Sequence, residues 1–144
     1  MSKRFHDERP PQQSMSLEGA GNNITFQGVG NYDGFILNIT ITDWVSAGTY
    51  TIRQSPDGGV TWPAIGTHDI SNSTGSAGQA IGTLGVVTIT ANGTVFYYFR
   101  LSHAQGGGEI DSMNNIRVQV GTASTVGLPP PTLTASICKA WTNI

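Results

Sequence analysis

The chain has 144 residues, 11% of them charged, a formal net charge of −2 and a single cysteine, Cys138. That length holds one domain with a real core and is too short for two ordinary ones. The few scattered basic residues argue against a phosphate-neutralising stripe, a lone cysteine rules out an intrachain disulfide, and no apolar run approaches the roughly 20 residues of a membrane helix. We therefore expect no nucleic acid partner and no membrane span.

Residues 1–23 differ in character from the rest of the chain. They hold five of the sixteen Lys, Arg, Asp and Glu residues within the first nine positions, together with Pro10-Pro11 and Gln12-Gln13. No apolar h-region is present, so the segment does not read as a signal peptide. With no strand or helix period it is expected to be an extended N-terminal arm. Arg4, Phe5, Arg9, Met15 and Leu17 are its candidate partner contacts, and deleting residues 1–20 is expected to leave the folded body intact.

From Ile24 onward the period is two. In "FILNITIT", Leu37, Ile39 and Ile41 face one way and Asn38, Thr40 and Thr42 the other. "TYTIRQ" alternates Tyr50 and Ile52 with Thr51 and Arg53, and "GVVTIT" sets Val87 and Ile89 against Val86 and Thr88. "VFYYFRL" is apolar on both faces and reads as a central strand, while "NIRVQV" turns Ile116, Val118 and Val120 inward. Such alternation predicts half-buried antiparallel strands. The separators, among them "GNYDG", "SPDGG", "SNSTGSAG" and "AQGGGE", are turn chemistry. Asn92-Gly93 is the residue pair a type I′ hairpin prefers, so it is expected to join "VVTIT" to "VFYYF" as a hairpin.

After residue 122 the tail "GLPPPTLTASICKAWTNI" begins with a stiff triple proline, with one last strand expected around Leu133 to Cys138. About seven or eight short strands without a convincing helix predict an all-β fold, a single β-sandwich of jelly-roll or Ig-like type. Its expected bounds are 24–122, between the arm at 1–23 and an irregular tail at 123–144.

Residues 55–62 read "SPDGGVTW" and fit S-x-D-x-G-x-T-W. This resembles the Asp-box, a hairpin motif of sialidases and other β-propellers. The resemblance implies that Ser55, Asp57, Gly59, Thr61 and Trp62 build a turn, with Asp57 accepting hydrogen bonds, Gly59 supplying backbone freedom and Trp62 packing beneath. Those roles are structural. A propeller repeats the box once per blade, and here it occurs once in a chain without internal repeats. A sialidase also requires an arginine triad and a tyrosine. Arg53, Arg100 and Arg117 with Tyr97 or Tyr98 can be drawn into that picture, but mid-strand arginines on outward positions ordinarily solvate a sheet face.

Other chemistry is no better supported. His6, His68 and His103 lie far apart, no metal-ligand or G-x-S-x-G spacing exists, and Glu109 and Asp111 beside the triple glycine read as a solvated loop. The expectation is a non-enzymatic chain with no cofactor and no metal.

In style, a Thr- and Gly-rich sandwich carrying an "S-x-DGG-x-T-W" turn and an N-terminal arm resembles tailed-bacteriophage structural proteins, most of all capsid decoration (cement) proteins. The resemblance implies a virion protein made in the host cytoplasm and seated on the outer surface of the major capsid protein. It further implies contact with copies of itself, as a homo-oligomer, with a trimer as the first guess. Two alternatives stay open. One is a phage tail, neck or fibre component. The other is a soluble carbohydrate-binding module using Tyr32, Trp44 or Trp141 as stacking platforms.

Overall fold

A computed structural model describes residues 12–27, 34–55, 59–62, 70–73, 85–100 and 115–140. Among them the chain forms β1 (Gln13–Ser16), β2 (Asn23–Phe26), β3 (Gly34–Thr42), β4 (Thr49–Ser55), β5 (Ile70–Ser73), β6 (Val86–Thr88), β7 (Gly93–Arg100), β8 (Asn115–Val120) and β9 (Thr132–Ala140). They build two antiparallel sheets, ordered β1-β9-β3-β7-β5 and β2-β8-β4-β6.

With β5 set aside, the remaining strands pair as a nested ribbon. β1 pairs with β9, β2 with β8, β3 with β7 and β4 with β6, all antiparallel. The ribbon then rolls on itself, so β9 also pairs with β3 and β8 with β4. This nesting is the jelly roll and decides between the two sandwich types left open by periodicity. β5 is an extra edge strand against β7.

The alternation read from the sequence explains the core. Register sets Leu37 between Ile137 and Tyr97, and Ile39 between Ala135 and Val95. Opposite them, Ile52 pairs with Val118 and Tyr50 lies between Val120 and Val87. All of these side chains are buried. Each large one contributes roughly 1.5–3 kcal/mol of burial free energy. Tyr50 and Tyr97 meet between the sheets, their hydroxyls 2.8 Å apart. Burial pushes the Tyr50 hydroxyl well above its ordinary pKa and that of Tyr97 up to about 12. On the outer face of the larger sheet many of the alternate positions are hydroxyls. Ser14 bonds Thr134 at 2.9 Å and Thr40 bonds Thr94 at 2.9 Å, which gives the high threonine content a place.

Three expectations are corrected. Asn92-Gly93 does not close a hairpin, because β6 belongs to the smaller sheet and β7 to the larger one. Ile89 and Val95 both enter the core, from opposite layers, so the chain must change sheets between them. Asn92 lacks the positive φ of a type I′ turn, and its Oδ1 instead accepts the Trp44 backbone N–H at 2.9 Å.

The second correction concerns the arm. Residues 13–16 are a strand inside the sheet, and Met15 and Leu17 are core residues, 9% and 1% exposed. They are not offered to a partner. The last strand expected around Leu133 to Cys138 is present as β9, and it lies inside the larger sheet between β1 and β3, so the sandwich extends past residue 122. Third, β5 arises within the stretch read as a separator, because Ser71–Ser73 extend alongside Phe96–Tyr98. The strand "VFYYFRL" is interior, flanked by β3 and β5, while β3 takes the middle of the sheet.

Candidate functional site

Two regions outside the core carry structure that the strands alone do not require. The first is one end of the sandwich, where residues 17–22, 43–48, 89–92 and 121–131 connect the strands and tie to one another. Leu17 N–H donates to the Pro131 carbonyl at 2.9 Å, and Ser124 N–H to the Leu17 carbonyl at 2.9 Å. Thr125 N–H donates to the Ser46 carbonyl at 2.9 Å, and the Ser46 and Thr125 hydroxyls bond at 2.7 Å. Gly127 N–H reaches Glu18 Oε2 at 3.1 Å.

Within residues 43–48 the backbone is left-handed at Asp43 (φ 58°) and Ala47 (φ 61°). Non-glycine residues adopt that conformation only where their surroundings hold them. Here the Trp44 indole N–H donates to the Ala47 carbonyl at 2.7 Å while its ring packs on the core. Trp44 is therefore a partly buried clamp, which weighs against its use as a glycan-stacking platform. The clamp turns Val45 outward, 54% exposed, beside Val126 at 73% and Leu128 at 97%. A Cβ on Gly127 would lie 3.0 Å from Val45 Cγ2, so the two loops meet at that point.

Gly48 closes this connection at φ +110°, with an added Cβ falling 3.2 Å from Ser124 Cβ and 3.3 Å from Ser124 Cα. Gly48→Ala should destabilise the fold by about 1–3 kcal/mol through backbone strain and crowding together. The midpoint of urea unfolding checks this.

The second region is the turn at Ser55–Trp62, which follows β4. Ser55 is fully buried, and its Oγ accepts the Gly59 N–H at 2.7 Å. Gly59 has φ +99°, where a side chain is disfavoured, and its missing Cβ would stand 3.7 Å from the Trp62 ring. Thr61 is exposed and Trp62 half-buried. Asp57 lies outside the described residues.

Trp62 comes back over the outer face of the smaller sheet. Its carbonyl accepts from Arg53 Nη1 at 3.3 Å, and its ring stacks on the Arg117 guanidinium at 4.3 Å. Arg53 and Arg117 are direct cross-strand partners. Burial, and after it the Arg53 charge, lower the Arg117 pKa from its ordinary value. The sequence had no means of pairing these two arginines, since β4 and β8 are far apart along the chain. Arg100 sits on β7 in the other sheet, so the three arginines are not gathered at one site.

Arg4, Phe5, Arg9, the three histidines, Tyr32, Tyr98's side chain, Glu109, Asp111 and Trp141 fall outside what is described. Among the described residues no group of His, Cys, Asp and Glu could hold a metal, and no helix is long and apolar enough to cross a membrane. Compared with protein-family models, curated proteins and solved structures, the chain matches none.

Proposed function

We propose that this chain is a non-enzymatic capsid decoration protein of a tailed phage, binding the outer surface of the major capsid protein and stabilising the assembled particle. The observation that carries the reading is the apolar tip of Val45, Val126 and Leu128, held out on loops that bond to one another. Exposed apolar side chains on loops that are tied to one another favour contact with another protein surface. The jelly roll adds support, being common among viral capsid domains, although it also serves lectins and does not itself assign a function.

On this reading the tip supplies buried apolar area, and residues 1–11, with Arg4, Phe5 and Arg9, supply a second contact with the capsid surface. Because only the assembled state offers the whole surface, binding many copies stabilises it by linkage. Contacts between copies, in a trimer, would fit the same surface-covering role.

Copy number tests the reading. Particles pelleted from the source lysate should contain this chain in amounts near those of the most abundant particle protein. A handful per particle would place it in the tail, neck or fibre, and absence from particles would discard the virion role. In a co-sedimentation assay, Leu128→Asp should weaken particle binding by about tenfold or more, equivalent to about 1.4 kcal/mol. Its own folding stability should change by no more than about 0.5 kcal/mol, because the side chain is almost wholly exposed.

A further inference from the structure

The smaller sheet carries a pair of like charges. Across β2, β8 and β4 the register sets Thr25, Arg117 and Arg53 in one row on the outer face. Like charges directly opposite one another disfavour a sheet, yet both are present here. The acidic residues among those described are Glu18 and Asp43, and both sit at the loop-bearing end. Neither arginine has a carboxylate partner among the described residues.

The pair is also held in place. The Trp62 ring fixes the plane of the Arg117 guanidinium, and the Trp62 carbonyl anchors Arg53. Arg117 Nε is shut off from solvent and donates to nothing among the described residues. A buried donor without an acceptor is costly, and a charged one more so. An oxyanion bridging the two guanidinium groups would offset the repulsion between them. A planar guanidinium fork fits a carboxylate through parallel N–H bonds, a geometry lysine cannot reproduce. The Trp62 ring stacked on Arg117 gives the pair an apolar rim on the turn side. That rim favours an anion with an organic stem over a bare inorganic ion.

We propose that Arg53, Arg117 and Trp62 form a binding site for a carboxylate carried on an organic group. The site is separate from the apolar tip and stands whether or not the chain decorates a capsid. The acid would bridge the two guanidinium groups, with its stem lying along Trp62. No bond is made or broken.

The test uses the full chain, labelled with nitrogen-15, and follows the arginine Nε–H resonances. Sodium propionate is titrated against sodium chloride at equal ionic strength, with inorganic phosphate in a parallel series. The Arg117 and Arg53 signals should move in a saturable way with propionate and not with chloride. Phosphate should bind more weakly. Arg117→Lys should weaken the propionate response by about tenfold or more, and Arg53→Lys should do the same should the first variant fold poorly. Arginine shifts no larger than those in chloride would overturn the site. So would a response unchanged in both folded variants. Tighter binding of phosphate than of propionate would overturn the assignment to a carboxylate.

Discussion

Deleting residues 1–20 should unfold the domain or leave it barely stable, while deleting residues 1–11 should leave it folded. The longer deletion removes β1 from its pairing with β9, and with it Met15 and Leu17 from the core. Truncating a buried Leu or Met to Ala costs about 2–5 kcal/mol, and here two such side chains go entirely. The backbone bonds that Leu17 makes to Pro131 and Ser124 go as well, which loosens the loop-bearing end. A domain of this size has a total stability of about 5–15 kcal/mol, so the loss is comparable to the whole. The shorter deletion touches none of these contacts. Circular dichroism and urea unfolding of both truncations check the contrast, and Leu17→Ala should by itself lose about 2–5 kcal/mol. Two equally stable truncations would show that β1 contributes nothing to the fold. Capsid-binding experiments on the arm therefore require the 1–11 deletion, since the longer one confounds binding with folding.

The domain should also weaken steeply above pH 10, and the Tyr50–Tyr97 pair should be a major cause. In the unfolded chain a tyrosine ionises near pH 10. In the folded state burial raises both hydroxyls, Tyr97 to about 12 and Tyr50 well above its ordinary value. The neutral form is thus the one the native state holds. Below pH 10 both states keep their protons and stability is complete. As pH rises from 10 towards 12 the unfolded state loses protons first, which drains stability at about 1.4 kcal/mol per pH unit for each tyrosine. Tyr97 alone then accounts for about 2 kcal/mol across that window.

Urea unfolding at pH 8 and at pH 11 measures this directly. Tyr97→Phe should cost about 1–2 kcal/mol at pH 8, because Tyr50 loses a hydroxyl partner inside the core. The same variant should lose less than the wild type between pH 8 and pH 11. Tyr50→Phe/Tyr97→Phe should cost less than the sum of the single changes, since removing both partners leaves neither stranded. A pH dependence identical in wild type and double variant would remove the pair from the explanation.

The strands with clean alternation were legible because burial on one face imposes it. Leu37, Ile39 and Ile41 in β3, and Ile116, Val118 and Val120 in β8, announce an inward face without further help. β1 carries the same signal in Ser14-Met15-Ser16-Leu17, but it is brief and comes after a charged, proline-containing stretch whose composition masks it. β5 had no signal at all. Ile70–Ser73 is polar, and only the neighbouring edge of β7 makes it a strand.

Asn92-Gly93 shows local preference overruled by tertiary need. The pair is suited to a tight hairpin, yet Ile89 and Val95 must reach the core from different sheets. The Ser55–Trp62 turn was legible in part, because a buried serine acceptor and a glycine of positive φ are local requirements. The Arg53–Arg117 pair was not, since it exists only through the register of β4 on β8.

The nested pairing has a consequence for how the chain is made. Ser14 and Thr134 bond across 120 residues of sequence, and β9 separates β1 from β3. At about 5–20 residues per second, a ribosome that has delivered β1 needs several more seconds to deliver its neighbour. Throughout that interval Met15 and Leu17 have no β9 to pack beside, and β3 lacks one of its flanking strands. The larger sheet is therefore completed only once Leu133, Ala135 and Ile137 have left the exit tunnel. Growing chains on neighbouring ribosomes meanwhile present unpaired edges to one another.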